Sequence, residues 1–161
     1  MSDTLSTLLR TLTDKDGLVR KRARDELVEL GAAATPGLME LLKDKRTHVR
    51  WEAAKALSEI GDPRSAPALV TALEDNDPGI RWMAAEGLIR VEAAGLPPLF
   101  GALVEHGGSI RLREGADHVL KVLAKNEKLP PYAEPVLKAL HGPASPSETS
   151  RAAKHALETL L

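Results

Sequence analysis

Cysteine is absent from this chain of 161 residues, and aromatics make up only 2%: two tryptophans, one tyrosine and one phenylalanine. The first absence excludes disulfides, thiolate metal centres and cysteine nucleophiles. The second requires an aliphatic core of Leu, Ala, Val and Ile, which a hydrophobic content of 43% can supply. Charge of one sign is lacking as well. The net charge is −1, so no overall field draws the chain towards nucleic acid or an anionic membrane. No apolar run approaches the ~20 residues of a membrane span. The opening "MSDTLSTLLRTLTDKDG" is acidic and polar where a secretory leader needs a basic start and an apolar stretch. A cytoplasmic protein made of one domain or one short repeat array is expected.

What the sequence does have is a period. Val19-Arg20, Val49-Arg50, Ile80-Arg81 and Leu112-Arg113 recur at intervals of 30, 31 and 32 residues. A fifth, degenerate copy has Thr149-Ser150 in that place and Arg151 one position late. Three residues after each of these positions stand Ala23, Ala53, Ala84, Ala116 and Ala153. Seven after come Leu27, Leu57, Leu88, Leu120 and Leu157, and ten after come Leu30, Ile60, Val91, Leu123 and Leu160. Such spacing predicts amphipathic helices near 18–30, 47–60, 78–91, 110–125 and 147–160.

A shorter apolar run precedes each of these helices. Four such runs open at Pro36, Pro67, Pro97 and Pro135, and the first, "LSTLLRTLT" at 5–13, has no proline. Proline fits a first helical turn, where its missing N–H has no partner to lose. Gly61 is expected to end a helix, with Asp62 and Asp77 as N-caps before Pro63 and Pro78. Each short hairpin buries too little surface by itself and must stack on its neighbours. The fold class expected is all-α: an α-solenoid of about five antiparallel helix hairpins in a single domain, 1–161. Its repeats fall near 4–31, 35–61, 63–92, 96–125 and 130–161.

The stretch Val49 to Asp75, which reads "VR–E–A–A–AL–IGDPR–APAL–AL–D", resembles the HEAT-repeat family, in particular the short bacterial type called phycobilisome-lyase HEAT-like repeats. The resemblance extends over essentially the whole chain. It implies an aspartate in each turn paired with the arginine that opens the second helix. Asp14, Asp44 and Asp75 stand six residues before Arg20, Arg50 and Arg81, whereas the fourth and fifth copies lack the aspartate. It also implies that the second helices line a concave inner face.

Positions one, two, five and nine after each arginine point away from the core at ~100° per residue. They place Trp51, Glu52 and Lys55 on that face, followed by Trp82, Met83, Glu86 and Arg90, with His118 in the fourth copy and His155 in the fifth. Two aligned tryptophans beside Met83, rimmed by charge, have the makeup of a binding hot spot. The alternative is that each indole packs over the groove to the next helix. Five basic and six acidic residues on the face argue against a track for nucleic-acid phosphates.

No HExxH spacing, phosphate loop or GxSxG elbow is present, and His118 with His155 lacks a ligand pattern. The reading is therefore a non-enzymatic scaffold without a cofactor or metal, binding a protein or peptide partner through Trp51, Glu52, Lys55, Trp82, Met83, Glu86, Arg90 and His118. A phycobilin-lyase-like or chaperone-like subunit, which the family name suggests, and a nucleic-acid-binding HEAT-like protein are the alternatives.

Overall fold

The computed structural model describes residues 2–161 and contains helices joined in hairpins. The first hairpin is α1 (Asp3–Thr11) with α2 (Gly17–Leu30), and the second is α3 (Thr35–Leu41) with α4 (Thr47–Ile60). The third pairs α5 (Ala66–Ala72) with α6 (Pro78–Val91), and the fourth α7 (Leu96–His106) with α8 (Ile110–Lys125). The last is α9 (Glu134–His141) with α10 (Pro146–Thr159). A short 3-10 turn leads into each first helix after the initial one: Gly31–Ala34, Pro63–Ser65, Glu92–Gly95 and Pro131–Ala133.

The joints follow from their residues. Gly61 ends α4 in the left-handed conformation, φ 68°, which glycine adopts without a Cβ penalty. Asp62 then accepts the Arg64 N–H and Asp77 accepts the Ile80 N–H, each satisfying a helix-end donor. Proline occupies the first turns of α3, α5, α7 and α9, as expected.

The five alanines of the repeat are buried, as are Leu27, Leu57, Leu88 and Leu120. Leu30 and Leu160 are exposed, contrary to their repeat position. They close the last turns of the first and last second helices, and those hairpins each lack a neighbour on one side. The two other aromatics meet edge to face, Phe100 and Tyr132 having ring centroids 6.5 Å apart.

Helix α4 packs between α2 and α6, and α8 continues the row against α6. The fifth hairpin enters this array reversed. Its first helix, α9, packs on α8, whereas α10 packs on α7, in the other layer. Ser150 donates to the Leu103 carbonyl at 2.8 Å, and Arg113 donates to Thr149 Oγ1 at 2.8 Å. The row of second helices thus ends at α8.

The most apolar window of the chain lies within Pro78–His106, with a mean hydropathy of 1.3. It reverses direction at the Glu92–Gly95 turn. Helices α6 and α7, with 14 and 11 residues, both fall short of the ~20 that cross a bilayer.

Candidate functional site

The turns between paired helices set the height of every side chain on the α2–α4–α6–α8 row. In the first three, the aspartate carboxylate folds back to its own turn: Asp14 accepts the Asp16 N–H, Asp44 that of Arg46 and Asp75 that of Asp77. The arginine that opens the second helix reaches carbonyls of the same turn instead. Arg20 bonds the carbonyls of Asp14 and Lys15, Arg50 those of Asp44 and Lys45, and Arg81 those of Asp75 and Asn76. The expected one-to-one ion pair within each turn is therefore corrected, because the short aspartate side chain is already committed to backbone N–H groups. The longer guanidinium spans to the next repeat. Arg50 takes both oxygens of Asp75, and Arg20 Nε meets Glu52 at 3.2 Å.

Arginine neighbours hold Asp44, Asp62 and Asp75 in their charged form. Arg46 beside Asp44 lowers that carboxyl to about 2, and Arg64 beside Asp62 lowers it likewise to about 2. Burial alone would raise Asp75, but the Arg50 hydrogen bonds, the Asp77 N–H and Arg81 outweigh it and leave Asp75 below the usual range.

The expected site residues divide. Glu52 is not available on the open face: it is 4% exposed and bonds both Arg20 and Arg24. Position two of the repeat faces the preceding helix here, and two cations draw the carboxylate inwards. Trp51 is half-buried against the core, with the Arg24 guanidinium 5.5 Å from its ring centroid. Its indole also leans on the start of α6, where a Cβ added at Gly79 would lie 3.2 Å from Nε1. This is the groove packing anticipated as the alternative.

Trp82 differs from Trp51: it is 53% exposed. Its ring lies 5.0 Å from that of His118 on α8, tilted by 36°, and His118 Nε2 stands 3.5 Å from Glu86 Oε1. Two hollows flank the indole. One, of about 460 Å³, lies between α4 and α6, with Lys55 and Glu59 on one side and Met83, Glu86 and Arg90 on the other. Lys55 is paired with Glu59 at 3.1 Å, whereas Arg90 is exposed and rests its stem near Gly61. The second, of about 230 Å³, lies between α6 and α8, where Leu73, Arg111, Gly115 and His118 join Trp82.

Five of the expected residues, Lys55, Trp82, Met83, Glu86 and Arg90, therefore line one hollow, and His118 borders the next. Ser58 and Ile89 complete the first hollow and were missed. Both lie eight positions after the arginine of their repeat, which at ~100° per residue is only ~20° from the tryptophan position. His155 is not brought to His118, because α10 lies against α7. Its imidazole is near Glu158 instead, at 3.9 Å. Among the described residues, no three His, Asp or Glu side chains converge as a metal site would need.

A family model described as HEAT repeats matches residues 3–89, more than half of the chain. No curated protein matches the sequence. Among solved structures, the complex of CpcE and CpcF of phycocyanin lyase from Nostoc sp. PCC7120 is similar with a TM-score of 0.61 at 22% identity, over 95% of this chain and 97% of that one. A designed armadillo repeat protein is similar with a TM-score of 0.43 at 16% identity, over 98% of this chain and 100% of that one. The Nostoc likeness bears on the fold alone: an all-α repeat solenoid.

Proposed function

The chain belongs to the HEAT-repeat family, and from that premise we propose that it is a binding module, holding a segment of a partner protein on the open face of α4, α6 and α8. The observation that supports this most is Trp82. It is a large apolar side chain, half in water, that forms the ridge between two hollows. An aromatic ridge with apolar floor residues (Met83, Ile89) and charges at the margin (Lys55, Glu86, Arg90) suits an apolar group of the partner on each side. Arg90 supplies an exposed cation at the rim, and His118 packs its ring against the indole. Binding then proceeds by burial on a preformed surface, with little ordering cost. No step of this reading needs a cofactor.

Photo-crosslinking tests the face. A photoreactive residue replacing the exposed Arg90 on α6 is expected to capture a partner that the same residue at exposed Thr71 on α5 does not. Capture from Thr71 alone would place binding on the other layer and overturn the reading.

A second reading takes the chain as one member of a lyase-type pair, since the Nostoc structure is a complex of two lyase subunits. It predicts a change in bilin absorbance when the chain is mixed with a candidate partner subunit, an apo-phycobiliprotein and a bilin. An unchanged spectrum leaves the binding module.

A further inference from the structure

Among the described residues, Arg24 is the arginine whose Nε is buried without a partner, and it lies beside Trp51. A guanidinium presents its Nε–H and one Nη2–H in parallel, and that edge donates to both oxygens of a carboxylate. Arg50 fills it with Asp75, at 2.9 Å from Nε and 3.2 Å from Nη2. Arg46 fills it with Asp44, at 2.9 Å from both nitrogens, and Arg64 with Asp62, Nε lying 3.2 Å from Oδ1 and Nη2 2.7 Å from Oδ2. Arg24 does not. Its Nη1 bonds Glu52, while Nε is buried without a partner, and Nη2 has none among the described residues. The residue is 9% exposed, so water does not fully substitute for the missing acceptor.

Charge around the edge is also unbalanced. Glu52 is shared between Arg20 and Arg24, two guanidinium groups on one carboxylate. The nearest further acid on α2, Asp25, is paired with Lys21 at 2.7 Å. A surplus positive charge thus sits between α2 and α4, under the face of the Trp51 indole. The indole Nε1–H is another donor without a partner among the described residues.

We propose that the Nε–Nη2 edge of Arg24 is a carboxylate-binding site, which takes both oxygens of an incoming carboxylate beside Trp51. Arg20 and Glu52 hold the guanidinium in position. Nε is sealed in the free protein, so the indole shifts as the carboxylate enters and Trp51 reports its arrival. The ligand is an aspartate or glutamate side chain or a chain terminus; both offer the same two oxygens. The site does not depend on the role of Trp82, two helices away from α2 along the row.

Two titrations test it. With Trp82→Phe, Trp51 is the sole tryptophan, and its emission is followed as acetate is added against chloride at equal ionic strength. In the unsubstituted, ¹⁵N-labelled protein, the Arg24 Nε–Hε cross-peak is followed in the same titration, so the outcome does not hang on a variant folding. A saturable change with acetate and none with chloride is expected in both. The Trp51 response should be at least tenfold weaker in Arg24→Lys, which keeps the charge but loses the fork. An amidated peptide with one internal glutamate and a glutamate-free peptide with a free terminus then separate the two sources, and a response to either supports the site. An Arg24 cross-peak that acetate does not shift, or an equal response to chloride, overturns it.

Discussion

The ring of Trp82 lies 5.0 Å from that of His118, and this contact between neighbouring helices separates the two tryptophans of the repeat. Trp51 occupies the same repeat position, but it is sunk against Arg24 and the start of α6. What differs is the neighbour. Gly79, at the start of α6, leaves room for the Trp51 indole, whereas the Trp82 indole meets an imidazole on α8 and stays in solvent. One sequence motif therefore yields one packing residue and one exposed ridge.

Reversal of the last hairpin makes Gly107 critical. A Cβ there would stand 2.3 Å from Ser150 Oγ and 2.6 Å from the Leu103 carbonyl oxygen, where α10 crosses the end of α7. Gly107→Ala is expected to cost roughly 1–3 kcal/mol in denaturant unfolding, as overpacking does. A neutral result would mean that α10 does not lie on α7.

Acid should loosen the joints between repeats. Asp44 and Asp62 are held at about 2 and Asp75 below its usual value, against ~3.9 in an unfolded chain. A lowered folded-state pKa gives stability that is complete above the unfolded value and lost as pH falls through the folded one. Melting temperature should therefore be flat from about pH 5 to 7 and fall between about pH 4 and 2. Asp75→Asn, which removes the negative charge and one of the two oxygens that Arg50 bonds, should cost roughly 1–3 kcal/mol at neutral pH and flatten that fall. An unaltered acid profile in this variant would contradict the role given to the Arg50–Asp75 pair.

Much of this architecture is legible in the sequence. The helix limits, the proline-opened first helices, the Asp62 and Asp77 caps and the alanine–leucine core follow from local patterns. Those patterns record one residue's relation to its own helix. The layer that α9 and α10 join depends instead on how a hairpin docks after the 126–130 connection, and no periodicity encodes that. Pairings that cross repeats, Arg50 with Asp75 and Arg20 with Glu52, are likewise set by three-dimensional reach. Glu52 reads as an outer-face residue from its angle, but two arginines on α2 pull it inside. Ser58 and Ile89 were within reach, since both occur eight residues after an aligned arginine.

A backbone position offers a gain in stability. Glu92 has φ 54° and ψ −134°, the conformation that Gly31 adopts at the matching joint with φ 63° and ψ −132°. A side chain is strained there, by about 1–3 kcal/mol. Its pair with Lys128, 3.6 Å apart on the surface, returns at most about 1 kcal/mol. Glu92→Gly should therefore raise the melting temperature by a few degrees, at about 2–4 °C per kcal/mol for a chain of this size. A lower melting temperature would show that the glutamate is unstrained.

The central claim is that Trp82 anchors a partner without supporting the fold, and a paired measurement on Trp82→Ala and Trp51→Ala tests it most directly. Each variant is melted, and each is titrated with the partner recovered by crosslinking. Trp82→Ala is expected to melt within about 1 kcal/mol of the parent and to bind at least tenfold more weakly, the loss of an interface anchor. Trp51→Ala should lose about 2 kcal/mol or more of stability. Unchanged binding by a stably folded Trp82→Ala variant would contradict the claim.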